Sequence, residues 1–92
     1  MAVQVRIPTV FRKFTDGQST VELEAGTIGD LVSQLDSRYP GMRDQMLTGD
    51  GQLHRFVNVY VNDEDARYLD KLDTKVGDGD TVSILPSVAG GR

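Results

Sequence analysis

The chain contains no cysteine and a single histidine. Without cysteine there is no disulfide, no thiol nucleophile, no cysteinyl zinc site and no cysteine-ligated iron–sulfur cluster. No apolar run approaches the length of a membrane span. The opening residues, Met1-Ala2-Val3-Gln4-Val5-Arg6, lack the basic start and apolar stretch of a signal peptide. The expectation is a cytoplasmic protein with no membrane partner. A basic excess is missing too. Ten Lys and Arg face fourteen Asp and Glu, giving a net charge of −4, with the signs interspersed. Phosphate binding needs a clustered basic face, so nucleic acid is not an expected partner.

What is present is enough for one modest core. Ninety-two residues make one domain that buries about 60–65% of its unfolded surface. Val3, Val5 and Ile7 alternate with polar residues up to Pro8, and Val21 and Leu23 alternate with Thr20, Glu22 and Glu24. This is the pattern of a hairpin with one buried face. Thr27-Ile28-Gly29-Asp30 reads as a helix start close to a capping box. Ile28, Leu31, Val32, Leu35 and Tyr39 then share one helical face, and Pro40-Gly41 closes the helix. Met42 to Leu47 add a short helical turn. Phe56 to Asn62 is the clearest strand, with Val57, Val59 and Val61 inward and Phe56, Asn58 and Tyr60 outward. Asn62 to Asp65 reads as a polar turn and Ala66 to Leu69 as a short edge strand. Leu72 and Val76 anchor an irregular connection. Asp78-Gly79-Asp80 launches a last strand with Val82 and Ile84 inward.

The order β-β-α-β-β-β gives a two-layer α+β domain over residues 1–85, with one main helix on one face of a mixed sheet of four to five strands. Parallel pairing of the first and last strands would place them at the sheet centre, with the helix as the crossover.

The folded body offers no reactive constellation. His54 has no nucleophile or acid at a recognisable spacing. Asp63, Glu64 and Asp65 lack the glycine and glutamate of a calcium loop, so no metal site is expected. Thr27 is explained as a cap. On the uncovered sheet face, Phe56, Tyr60 and Leu85 form an expected docking surface beside the C-terminal segment. That segment, residues 86–92, is read as a flexible tail. Pro86 has no N–H for a ladder, so pairing is expected to stop there. Val88 and Ala89 lead into Gly90-Gly91, which have no Cβ and fit a narrow channel. Extended, Pro86 to Gly91 spans roughly 20 Å, enough to carry a carboxylate into another protein's active site.

With Asp78-Gly79-Asp80 before the last strand and Leu85-Pro86-Ser87-Val88-Ala89-Gly90-Gly91 after it, the whole chain resembles the MoaD/ThiS family of ubiquitin-like β-grasp sulfur carriers. Within the family, Leu53 to Asp65 together with Val88-Ala89-Gly90-Gly91 is most similar to the actinobacterial branch that serves cysteine biosynthesis. The resemblance implies a protein co-substrate, monomeric on its own, with no active site and no resident cofactor. An E1-like enzyme would use ATP to adenylate the Gly91 carboxylate, and a sulfur donor would then convert it to a thiocarboxylate. Val88, Ala89 and Gly90 would thread into the partner. In the cysteine branch a PLP-dependent cysteine synthase accepts the sulfur and a JAMM/Mov34 zinc hydrolase releases the product. Other branches feed molybdopterin, thiamine or a thiosugar. A ubiquitin-like modifier would use the same tail on a target lysine. The family's active form ends at the second glycine, so Gly91–Arg92 is the expected processing site, with Arg92 either trimmed or foreign to the native protein.

Overall fold

The computed structural model describes residues 2–54 and 57–86. The N-terminal alternation becomes β1 (Ala2–Arg6), which pairs antiparallel with β2 (Thr20–Glu24) so that Val3 meets Leu23 and Val5 meets Val21. These four side chains are buried, while Gln4 and Glu22 meet on the opposite face through a 3.1 Å side-chain hydrogen bond. Between the strands, Thr9–Phe14 winds into a 3₁₀ helix that places Phe11 in the core. Asp16 and Gly17, at φ 55° and 82°, turn the chain back.

After β3 (Gly26–Thr27), helix α1 (Ile28–Arg38) starts with a complete capping box. The Asp30 N–H donates to Thr27 Oγ1 at 3.1 Å and the Thr27 N–H donates to Asp30 Oδ2 at 2.9 Å. The carboxylate sits so close to Gly26 that a Cβ there would lie 2.7 Å from Oδ2. Ile28, Leu31, Val32 and Leu35 are buried against the sheet, each such burial being worth about 1.5–3 kcal/mol. The other side of α1 closes the edge of β2. Gln34 accepts from the Glu24 N–H at 2.8 Å and donates to its carbonyl at 3.0 Å, and Arg38 donates to the Glu22 carbonyl at 3.2 Å. Helix α2 (Met42–Met46) follows from Gly41 at φ 102°. Asp36 Oδ1 accepts from the N–H groups of Gly41 and Arg43.

The second half of the chain supplies β4 (Val57–Val61), β5 (Glu64–Asp65), β6 (Lys75–Val76) and β7 (Thr81–Pro86). The main sheet has the order β2-β1-β7-β4-β5. Its centre is the expected parallel pair of first and last strands, with Val5 beside Val82. The helical layer and the loops form the long connection that parallel pairing requires.

Four expectations are corrected. Ala66–Tyr68 is a 3₁₀ helix, not an edge strand. The edge strand is β5, where the polar turn was read, because the turn takes only Asn62 and Asp63. Both have positive φ, 50° and 76°, the geometry of a two-residue hairpin turn that Asn and Asp tolerate. The connection around Leu72 is not wholly irregular: Lys71–Asp73 is 3₁₀ and β6 pairs with β3 in a small separate sheet. Finally, β7 runs through Pro86, which lies opposite Val57. The Asp80 carbonyl accepts from Gln4 and the Thr81 carbonyl from Asn62. Even-numbered residues of β7 therefore direct their backbone groups at β1. Since β1 stops at Arg6, proline's missing N–H at position 86 forfeits no ladder bond.

Candidate functional site: the tail root and the exposed sheet face

The register fixes which side chains share the uncovered face. Arg6 on β1, Ser83 on β7 and Tyr60 on β4 form one row across the sheet centre. Leu85 stands one step on, opposite Asn58, and is 48% exposed. Tyr60 is half-buried beside it, in the diagonal relation that lets large side chains touch across a ladder. Two members of the expected docking face, Tyr60 and Leu85, are thus neighbours at the tail root. The third, Phe56, lies outside the described residues. So do the tail residues Val88, Ala89, Gly90, Gly91 and Arg92.

A groove of about 760 Å³ crosses this face, and its walls include Arg6, Arg12, Tyr60, Asp63, Ser83 and Leu85. Arg12 enters it from the 3₁₀ segment after β1 and is steadied by donation from Nε to the Ile7 carbonyl at 3.3 Å. The parallel pairing of β1 and β7 brings this corner to the end of the sheet where the chain leaves β7. The sequence does not single out Arg12, and it marks Asp63 only as part of an acidic turn. The 3₁₀ turn and the tight hairpin that aim them have no periodic signature.

The acidic turn at the opposite end of β7 has a structural job. Asp78 Oδ1 accepts from the Ala2 N–H at 2.9 Å. Asp80 Oδ2 accepts from the Gly77 N–H at 2.8 Å, and Asp80 Oδ1 accepts from the Asn62 side chain at 2.9 Å. The Gly77 bond, with help from Asn62, holds the Asp80 carboxyl below its ordinary pKa of 3.8. Among the described residues no group of three or more His, Asp or Glu is placed to hold a metal ion. None of the described helices is long and apolar enough to cross a membrane. His54 is half-buried just before β4, its N–H bonded to the Met46 carbonyl.

A sheet of this order gripping one main helix, with the chain leaving from its central strand, is the architecture of ubiquitin-like β-grasp proteins. Residues 5–91 match the ThiS family, and the chain belongs to it. It is 47% identical to the sulfur carrier protein CysO of Mycobacterium tuberculosis, over 99% of this chain and 100% of that protein. A chain in the crystal structure of the Amycolatopsis orientalis BexX/CysO complex superposes with a TM-score of 0.90 at 47% identity, covering 98% of this chain and 100% of that one. Small archaeal modifier protein 3 of Haloferax volcanii is 33% identical over 99% of this chain and 100% of its own length. The chain is therefore a member of a family that includes sulfur carrier proteins.

Proposed function

We propose that this protein is a sulfur carrier whose reactive group is the carboxylate of Gly91. The observation that carries the reading is the full-length 47% identity to a sulfur carrier protein. The exposed Leu85 beside the tail root supports it as a handle. An E1-like partner adenylates the carboxylate, releasing pyrophosphate and turning a poor electrophile into a mixed anhydride. Sulfide attacks the carbonyl carbon, the C–S bond forms, AMP leaves with the C–O electron pair, and the sulfur loses its remaining proton to water. The resulting thiocarboxylate keeps its charge and is a softer nucleophile for the next acceptor. ATP belongs to the partner, and the carrier acts as co-substrate with no active site or cofactor of its own.

The docking face is Phe56, Tyr60 and Leu85, and Val88, Ala89 and Gly90 thread the tail into the enzyme. That a related carrier chain occurs in a BexX/CysO complex supports a protein partner here. Cysteine biosynthesis is the preferred destination, through a PLP-dependent synthase and a JAMM/Mov34 zinc hydrolase. Molybdopterin, thiamine and thiosugar pathways are the competing acceptors.

Intact mass of the chain ending at Gly91, after incubation with the activating enzyme, ATP and sulfide, tests the reading. The expected result is a gain equal to sulfur minus oxygen on Gly91; no change would overturn it. A second reading, a protein modifier, is favoured by the similarity to small archaeal modifier protein 3. It calls instead for a ladder of covalent adducts on target lysines.

A further inference from the structure

The groove at the tail root has a local charge opposite to that of the whole chain. The protein carries a net charge of −4, yet the walls of this groove bring two guanidinium groups, Arg6 and Arg12, against one carboxylate, Asp63. Arg6 is exposed at the end of β1 and its side chain has no hydrogen-bond or ion-pair partner among the described residues. Arg12 donates from Nε to the Ile7 carbonyl at 3.3 Å and lines the same groove. Ser83, Tyr60 and Thr20 add hydroxyls to the same walls.

Two guanidinium groups lining one groove, with hydroxyl donors around them, match a carboxylate in charge and hydrogen-bonding capacity. The position matters as much as the charge. Leu85, the last exposed apolar side chain of β7 before Pro86, forms part of the groove. Whatever fills the groove is held next to the point where the tail departs.

We propose that this groove receives an Asp or Glu side chain from the enzyme that activates the tail. The inference rests on the sulfur-carrier reading for the identity of that enzyme. The carboxylate pairs with Arg6 and Arg12, the apolar contact forms on Tyr60 and Leu85, and together they set the direction in which the tail enters. The acidic body of the carrier would repel an acidic partner elsewhere, so the arginine pair also fixes the orientation of docking.

The test is direct binding of the chain ending at Gly91 to its E1-like enzyme, read by fluorescence anisotropy at several salt concentrations. Activation is measured in parallel as ATP–pyrophosphate exchange. Arg6→Glu should weaken binding by at least about tenfold and flatten its salt dependence. Arg12→Gln should weaken it less. Arg43→Glu, on α2 and exposed, makes the same change in net charge away from the groove and should bind like the wild type. Thermal melts confirm that each variant is folded. Unchanged binding by Arg6→Glu, an equal loss in Arg43→Glu, or no salt-dependent binding by the wild type would each overturn the proposal. Binding with the expected pattern but no exchange activity would uphold this docking site and overturn the sulfur-carrier reading alone.

Discussion

Asp80 ties together three parts of the chain, and its charge is what makes the knot. Its carboxylate accepts from the Gly77 N–H and the Asn62 side chain, and its main-chain carbonyl accepts from Gln4 on β1. Both side-chain bonds favour the ionised form, so the folded pKa is below 3.8. A depressed carboxyl pKa stabilises the fold at pH values above the unfolded pKa, and that contribution disappears as pH falls through the folded one. Urea midpoints of wild type and Asp80→Asn should therefore differ at neutral pH and converge as acid is added below about pH 4. A constant difference across that range would show that charge is irrelevant. Thr27 is a second residue whose role is local. Thr27→Ala removes the hydroxyl from the capping box and should cost about 1 kcal/mol in urea unfolding. The sequence shows this cap openly, because a hydroxyl and an acid three residues apart ahead of an apolar face have few other uses.

At the scale of elements, α1 does two jobs with two faces. Its apolar face covers the sheet, and Gln34 and Arg38 on the other face satisfy the outer backbone of β2. Gln34 imitates one residue of a neighbouring strand, giving and taking a hydrogen bond at Glu24. An unprotected edge is a template for another chain. Gln34→Ala should lower stability by about 0.5–1.5 kcal/mol and raise concentration-dependent scattering. Wild-type stability and scattering in that variant would show the edge to be protected by other means. The long elements were legible: alternation at Val3–Ile7, Val21–Leu23 and Val57–Val61, and the three- and four-residue spacing from Ile28 to Leu35, each follow from burying one face. The short ones were not. β3 and β6 are two residues each, too brief to alternate. β5 hides in an acidic stretch because its pairing is set by the Asn62-Asp63 turn rather than by any apolar face. The 3₁₀ turn at Ala66–Tyr68 was read as a strand because three residues carry no period that tells the two apart.

For the whole molecule, the exposed face could be assigned from the sequence because strand alternation assigns both faces at once. Tyr60 and Leu85 followed from Val59 and Ile84 pointing inward. The groove beside them was not legible, since it needs Arg12 from a 3₁₀ turn and Asp63 from a hairpin turn to meet across the sheet. The prediction at this scale concerns the chain end. On the proposed sulfur-carrier function, a chain ending at Gly91 should support ATP–pyrophosphate exchange with an E1-like enzyme and one ending Gly91-Arg92 should not, because the proposed adenylation is of the glycine carboxylate. Equal exchange by both would remove Arg92 from the scheme.

The central pairing of β1 with β7 also has a consequence for synthesis on the ribosome. β1 must wait for β7 before its second edge is filled, so the sheet centre cannot close until β7 has been translated. Pairing strands this far apart in sequence carries a high loop-closure cost. A nascent or prematurely terminated chain without β7 would leave Val3 and Val5 beside an open seam, a target for quality control. Synthesis of β7 is thereby the condition for closing the sheet centre.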